Sequence, residues 1–135
     1  MIKNFIKSSM NRYLRKSFID HNLLKEVPKN SSYVYFPMAV DMERNLLITA
    51  PYYTNQIETI RHIVKSLPVN YQLYVKENPA QVIRYWRSIS EYKDIMKIPN
   101  VCLIHPNFSA ENIYENCSLV ITIGGTSGFD ATFYQ

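Results

Sequence analysis

From residue 33 onward, short runs of β-branched and aromatic residues alternate with longer stretches whose apolar residues recur at helical spacing. Tyr33-Val34-Tyr35-Phe36, closed by Pro37, reads as a strand, as do residues 71–75, Val101-Cys102-Leu103-Ile104 and residues 119–123. Between them, residues 56–67 place Ile57, Ile60, Ile63, Val64 and Leu67 on one helical face and stop at Pro68. Residues 80–96 read as a helix with room for a break, residues 110–115 as a short helix, and residues 127–134 as the opening of a last one. Leu46-Leu47-Ile48 reads as a further extended run before Pro51. Strands apolar on both faces are buried on both faces, and a helix between consecutive strands is the crossover that parallel pairing needs. These features predict an α/β fold, a Rossmann-like parallel sheet flanked by helices, over residues 33–135.

Residues 1–32 read differently. Ile2, Phe5, Ile6, Met10, Tyr13, Leu14 and Phe18 recur at helical spacing over 2–18, and a linker marked by Pro28, Asn30, Ser31 and Ser32 follows. The chain carries 15 Lys and Arg against 11 Asp and Glu. Lys3, Lys7, Arg12, Arg15 and Lys16 all precede the first acid, Asp20, so the positive balance sits on this helix and not on the folded body. A nucleic-acid binder carries its basic stripe on the body, so no nucleic-acid partner is expected. A basic amphipathic helix suits either packing on a neighbouring protein surface or peripheral contact with anionic lipid. Met1 to Lys7 lacks the apolar core of a signal peptide and no run is long enough to span a bilayer. The expected location is cytoplasmic, peripheral on the inner face of the membrane if the helix binds lipid.

Ligands of parallel sheets bind beyond the carboxyl ends of the strands, which directs attention to Phe36-Pro37 and to three further segments that carry more chemistry. The strongest is Gly124-Gly125-Thr126-Ser127-Gly128, between a β-branched strand and a helix. Glycines permit a tight turn and close approach of backbone to a ligand, Thr126 or Ser127 can cap the helix, and the free N–H groups of a first turn attract phosphate. Asp130, one turn further, can accept from a ribose hydroxyl. The turn matches neither the P-loop nor the dinucleotide fingerprint, and Phe129 stands where a nucleophile elbow around Ser127 would need glycine. Lys76-Glu77-Asn78-Pro79 is the second segment: Lys76 can neutralise phosphate, and Glu77 can orient a ligand or bind a hydroxyl. His105-Pro106 is the third, with a histidine placed to touch base or phosphate. Arg84, Trp86 and Arg87 form a basic-aromatic cluster that suits a polyanion or a packed helix equally well. Cys102 and Cys117 read as buried thiols, and no His, Cys or carboxylate spacing suggests a metal site.

Lys76-Glu77-Asn78-Pro79, Ile98-Pro99-Asn100-Val101 leading to His105-Pro106, and Ile121-Thr122-Ile123-Gly124-Gly125-Thr126-Ser127-Gly128-Phe129-Asp130-Ala131 together resemble bacterial capsule polysaccharide biosynthesis proteins, including Kdo-transferase-like enzymes. The resemblance covers about residues 33–135. It implies one half-domain of a GT-B glycosyltransferase, the nucleotide-sugar-binding half. It further implies transfer from a CMP- or UDP-linked donor to a glycan or lipid-linked glycan acceptor, with no bound cofactor or metal. On that resemblance Lys76, Asn78, His105, Gly124, Gly125, Thr126, Ser127 and Gly128 line the donor site, Glu77 and Asp130 contact donor hydroxyls, and Glu43, Glu77 and His105 are the catalytic candidates. Asn78 and Ala39 occupy positions where the family tends to have histidine, and the family continues beyond Gln135. Little transferase activity is therefore expected of these residues alone. A polyol-phosphate transferase of the teichoic-acid type and a non-enzymatic assembly module docking through residues 2–18 are the alternative readings.

Overall fold

A computed structural model describes residues 2–28, 32–41, 43–84 and 87–134, with the side chains of residues 2–8, Asn45, Val82, Ile83 and Arg84 outside the description. Trp86 and Arg84 of the basic-aromatic cluster, and Asn30 and Ser31 of the linker, thus lie wholly or in their side chains outside the described residues.

The sheet is α/β and parallel throughout. Its strands are β1 (Tyr33–Pro37), β2 (Gln72–Lys76), β3 (Val101–Ile104) and β4 (Leu119–Val120), in the order β3-β2-β1-β4. Tyr35 pairs with Tyr74 on one side and Val120 on the other, and Val75 pairs with Leu103. The helices are α1 (Ile2–Asn22), α2 (Gln56–Ser66), α3 (Pro79–Arg84), α4 (Ile89–Met96), α5 (Ala110–Tyr114) and α6 (Ser127–Ala131).

Strand alternation divides the core into two layers. Val34, Phe36, Leu73, Val75 and Leu103 face Phe18, Ile19 and Leu23 of α1, Ile57 and Ile60 of α2, and Tyr92 and Ile95 of α4. Tyr33, Tyr35, Tyr74 and Ile104 face Ile113 and Tyr114 of α5 and Ala131 of α6. Tyrosines in this second layer need polar partners for their hydroxyls. Tyr33 meets that need by donating to the Ile113 carbonyl at 2.8 Å, with its ring edge-on to Tyr74 at 4.7 Å. Burial pushes the Tyr33 phenol up to about 12, so it stays a neutral donor. Cys102 and Cys117 are half-buried free thiols in or beside this layer, and burial raises both.

Several elements differ from the sequence expectation, each for a local reason. Leu46-Leu47-Ile48 is not extended but lies in a π-helical turn, Asn45–Thr49, where the Glu43 carbonyl accepts from both Leu46 and Leu47 at 3.1 Å. Leu46 is buried while Ile48 is exposed, so a short apolar run here fills one core position only. The helix over 80–96 is two helices. Ser88 forms a reciprocal capping box with Glu91 and starts α4 afresh. The last strand pairs over two residues, with one further bond from Ile121 to Tyr35 at 2.9 Å. Tyr33 and Tyr35 are the β1 residues that address β4, which makes Pro37 the next in line, and proline has no N–H to extend the ladder. Downstream of α1, Leu24 is not slack linker: it bridges β3 at Ile104, donating to Leu103 at 2.9 Å and accepting from His105 at 2.8 Å.

One buried cation ties the loop after β1 to three helices. Arg87 reaches Asp41 at 2.8 Å, Glu77 at 3.0 Å and Glu91 at 3.5 Å. Tyr92 donates to the other Glu77 oxygen. Gln56 brackets Ala39, accepting from its N–H at 2.8 Å and donating to its carbonyl at 2.9 Å, and also donates to Asp41 at 2.6 Å. Gln81 donates to the second Asp41 oxygen at 2.8 Å. Burial alone would lower the Arg87 guanidinium, but Glu77 and Asp41 raise it. Burial pushes the Glu77 carboxyl up against the opposing pull of Tyr92 and Arg87. Because removing one partner strands a buried charge, Arg87→Met is expected to cost about 3–5 kcal/mol in denaturant unfolding. Loss of under ~1 kcal/mol would show that the cluster is solvated and does not brace the fold.

Candidate functional site

The strand order contains one reversal. The chain moves outward from β1 to β2 to β3, then returns to the far side of β1 to place β4. The crossovers on the two sides of β1 therefore leave in opposite directions, and a crevice opens between the carboxyl ends of β1 and β4. Pro37, Met38, Ala39, Val40, Glu43 and Leu46 form its β1 wall, Ile123, Gly124, Gly125, Thr126 and Ser127 its β4 wall, and Asn78 closes it from β2.

The β4 wall is a turn held open by its own residues. Thr122 Oγ1 donates to the Gly124 carbonyl at 2.9 Å and accepts from the Gly124 N–H at 3.3 Å. Gly125 has φ +90°, a left-handed backbone that L side chains rarely adopt. Gly128 is required for a different reason: a Cβ there would stand 2.8 Å from Thr122 Cγ2. Thr126 occupies the N-cap position of α6, with no side-chain cap bond. The N–H groups of Gly125 and Thr126 have no protein acceptor among the described residues, and those of Ser127 and Gly128 begin α6, where no intrahelical carbonyl precedes them. The wall thus presents consecutive unpaired donors. With only five residues in α6, the attraction for an anion comes from these N–H dipoles at short range more than from a helix macrodipole.

Asn78 has a part in both structure and crevice. Its side-chain oxygen accepts from the Ala80 N–H at 2.9 Å and starts α3, with Pro79 at the first helical position. What remains for a ligand is its amide NH2, two further donors. Ala39 and Val40 are fixed from behind by Gln56, Gln81 and Arg87 through Asp41.

Lys76 is 8 % exposed, and its ammonium has no hydrogen bond or ion pair among the described residues. Burial lowers it. By alternation along β2 it lies on the α5–α6 side of the sheet with Tyr74, beside Pro37 of β1 and Ile104 of β3. A buried cation without a partner is costly, in contrast to Arg87 with its three carboxylates.

Of the sequence-derived positions, Glu43, Asn78, Gly124, Gly125, Thr126 and Ser127 come together in the crevice. Gly128 supports the turn from below. Glu77 is 2 % exposed and committed to Arg87 and Tyr92, so it faces the α4 layer and not a ligand. Asp130 lies in a separate groove with Glu111, Tyr114, Phe133 and Tyr134. His105 stands at the end of β3, three strands from β4 or roughly 14 Å, paired with Asp20 of α1 at 3.0 Å. Its hydrogen bond holds the Asp20 carboxyl below its ordinary value. The sequence reading missed Gln56, Gln81, Asp41 and Tyr92. Gln56 carried a signal, since it precedes Ile60 by four residues and so falls on the buried stripe of α2. Among the described residues no group of three or more His, Cys, Asp or Glu could hold a metal ion.

The crevice encloses about 80 Å³, well below the roughly 300–1,000 Å³ that takes a whole organic ligand. It has room for a phosphoryl group, with the rest of any larger ligand lying outside it.

The family model of capsule polysaccharide biosynthesis proteins matches residues 1–135, and the chain belongs to that family. No curated protein and no solved structure matches it.

The turn makes a steric prediction. Thr122 cannot rotate away from a new Cβ without giving up Gly124, so Gly128→Ala is expected to lose about 1–3 kcal/mol of stability. Thr122→Ser keeps the hydroxyl and removes Cγ2, and in the double variant it is expected to restore most of the loss. A double-mutant cycle by urea unfolding with additive costs would show that the contact does not set the turn.

Proposed function

We propose that this chain is the nucleotide-sugar-binding part of a GT-B glycosyltransferase acting in capsule polysaccharide biosynthesis, with a donor phosphate seated in the crevice between β1 and β4. The observation that carries the reading is the 124–127 wall, a run of unpaired backbone donors at the switch point of a parallel sheet. Family membership supports the biosynthetic setting.

In glycosyl transfer the bond between the anomeric carbon and the phosphate oxygen breaks, and negative charge grows on that oxygen. Donors fixed in advance around it stabilise the developing charge. Gly125, Thr126 and Ser127 supply N–H groups and Asn78 supplies its amide NH2; Lys76 lies outside the crevice lining, two residues before Asn78 at the end of β2, and would act on the phosphate through its field. Of the catalytic candidates, Glu43 alone lines the crevice and is placed to take the proton of an acceptor hydroxyl. The crevice holds the phosphate and leaves sugar and base to surfaces beyond it, as half of a two-domain cleft would.

Calorimetric titration with CMP- and UDP-linked sugars and with CDP-glycerol tests the reading. One nucleotide sugar is expected to bind with a Kd within about 1 μM–1 mM. Lys76→Met is expected to weaken binding at least tenfold while raising the melting temperature, because it removes an unpartnered buried charge and keeps the volume. Preference for CDP-glycerol would instead favour polyol-phosphate transfer. Absence of binding by every nucleotide, or full binding by Lys76→Met, would overturn the assignment.

A further inference from the structure

Along the β1 wall, from Met38 to Glu43, every backbone donor but one among the described residues is engaged within the protein. Met38 donates to the Lys76 carbonyl at 2.9 Å and Glu43 to the Val40 carbonyl at 3.2 Å. Ala39 donates to Gln56 Oε1 at 2.8 Å, and Asp41 to Gln81 Oε1 at 3.3 Å. Val40 stands between these last two, and its N–H has no acceptor among the described residues. It is also 2 % exposed and lines the crevice. A buried backbone donor without a partner is rare in folded proteins, because it gives up water without a replacement.

The two glutamines that flank Val40 in this way are themselves buried, at 2 % exposure for Gln56 and 1 % for Gln81. Gln56 is the first residue of α2. Its carbonyl oxygen takes the Ala39 N–H, and its NH2 serves the Ala39 carbonyl at 2.9 Å and Asp41 Oδ1 at 2.6 Å. Turning this amide over would set NH2 against N–H and oxygen against carboxylate, so its orientation is fixed. Gln81 holds Asp41 in the same manner, accepting from its N–H and donating to Oδ2 at 2.8 Å. Arg87 donates to the same carboxylate. Its guanidinium offsets the Asp41 charge, which therefore repels an anion in the crevice less.

The unpaired N–H groups of Gly125, Thr126 and Ser127 belong to the other wall. Both walls line one space of about 80 Å³, so a phosphoryl group seated there is within reach of each. Donors from two loops around one small space suit a tetrahedral oxyanion, whose oxygens accept in several directions at once.

We infer that the Val40 N–H is the β1-side ligand of the phosphate, closing a two-walled clamp with the 124–127 turn, and that Gln56 and Gln81 are the positioning residues that hold Val40 to it. This clamp rests on the nucleotide reading above and adds a second wall to it.

Through-hydrogen-bond coupling between amide protons and nucleotide phosphorus, recorded on the isotope-labelled chain with saturating CMP or UDP, tests the clamp. Coupling is expected at Val40 as well as in the turn, and not at Ala39 or Asp41, whose protons the glutamines hold. Gln56→Met keeps the length of the side chain and removes its hydrogen bonds. It is expected to lose the Val40 coupling while the turn keeps its own, and to bind the nucleotide at least tenfold more weakly, the worth of one hydrogen bond to a charged group. A glutamine with a merely structural role would weaken every coupling together. Gln81→Met is expected to give the same pattern and serves if Gln56→Met does not fold. Coupling in the turn with none at Val40 in the unaltered chain would overturn the clamp and leave the nucleotide site standing, whereas coupling nowhere would overturn both. Full affinity and an intact Val40 coupling in the glutamine variants would overturn the positioning role.

Discussion

Everything at the upper rim of this molecule follows from β1 having a parallel neighbour on each side. A strand flanked in this way receives its crossovers from opposite directions, so the loops after β1 and β4 must part. Pro37 sharpens the parting. It falls where β1 would next donate to β4, and without an N–H it ends that ladder two residues into the last strand. The chain beyond Val120 is then free to turn outward, and Thr122, Gly125 and Gly128 determine how it turns. The crevice is the space that this geometry leaves.

Two buried cations near the rim meet opposite fates. Arg87 is surrounded by Asp41, Glu77 and Glu91 and holds the loop after β1 against α2, α3 and α4. Its planar fork suits several carboxylates at once. Lys76, one residue before Glu77 on the opposite face of the sheet, has no partner among the described residues. The proposed donor phosphate would give that second charge the partner it lacks among the described residues. On the proposed reading, stability and binding compete at Lys76 and not at Arg87.

The strands were legible because each is apolar on both faces, and the glycine turn because Gly125 takes a left-handed backbone that L side chains rarely adopt. The single helix expected over 80–96 hid a break, although Ser88 and Glu91 spell a capping box, because apolar residues continue on both sides of it. Leu46-Leu47-Ile48 is too short for its period to separate strand from helical turn. Which residues end the strands was also legible, but only as a rim. Which face a residue takes depends on register, which turned Glu77 toward Arg87 and left Lys76 on the other side. Which strand end lies next to which depends on the sheet order, which placed His105 with Asp20 far from the glycines. Gln56 and Gln81 brace the site through Asp41, over separations of 15 and 40 residues, and long-range partners of that kind leave little trace in local pattern.

The central claim is that a nucleotide's phosphate sits on the 124–127 turn at the β1–β4 switch point. Amide chemical shifts recorded while CMP and UDP are titrated into the isotope-labelled chain test it most directly. The account predicts the largest changes at Gly124, Gly125, Thr126 and Ser127, with smaller ones at Ala39 and Asn78 and none at Asp20 or His105. Changes centred on His105 and Asp20, or an unperturbed turn at saturating nucleotide, would contradict it.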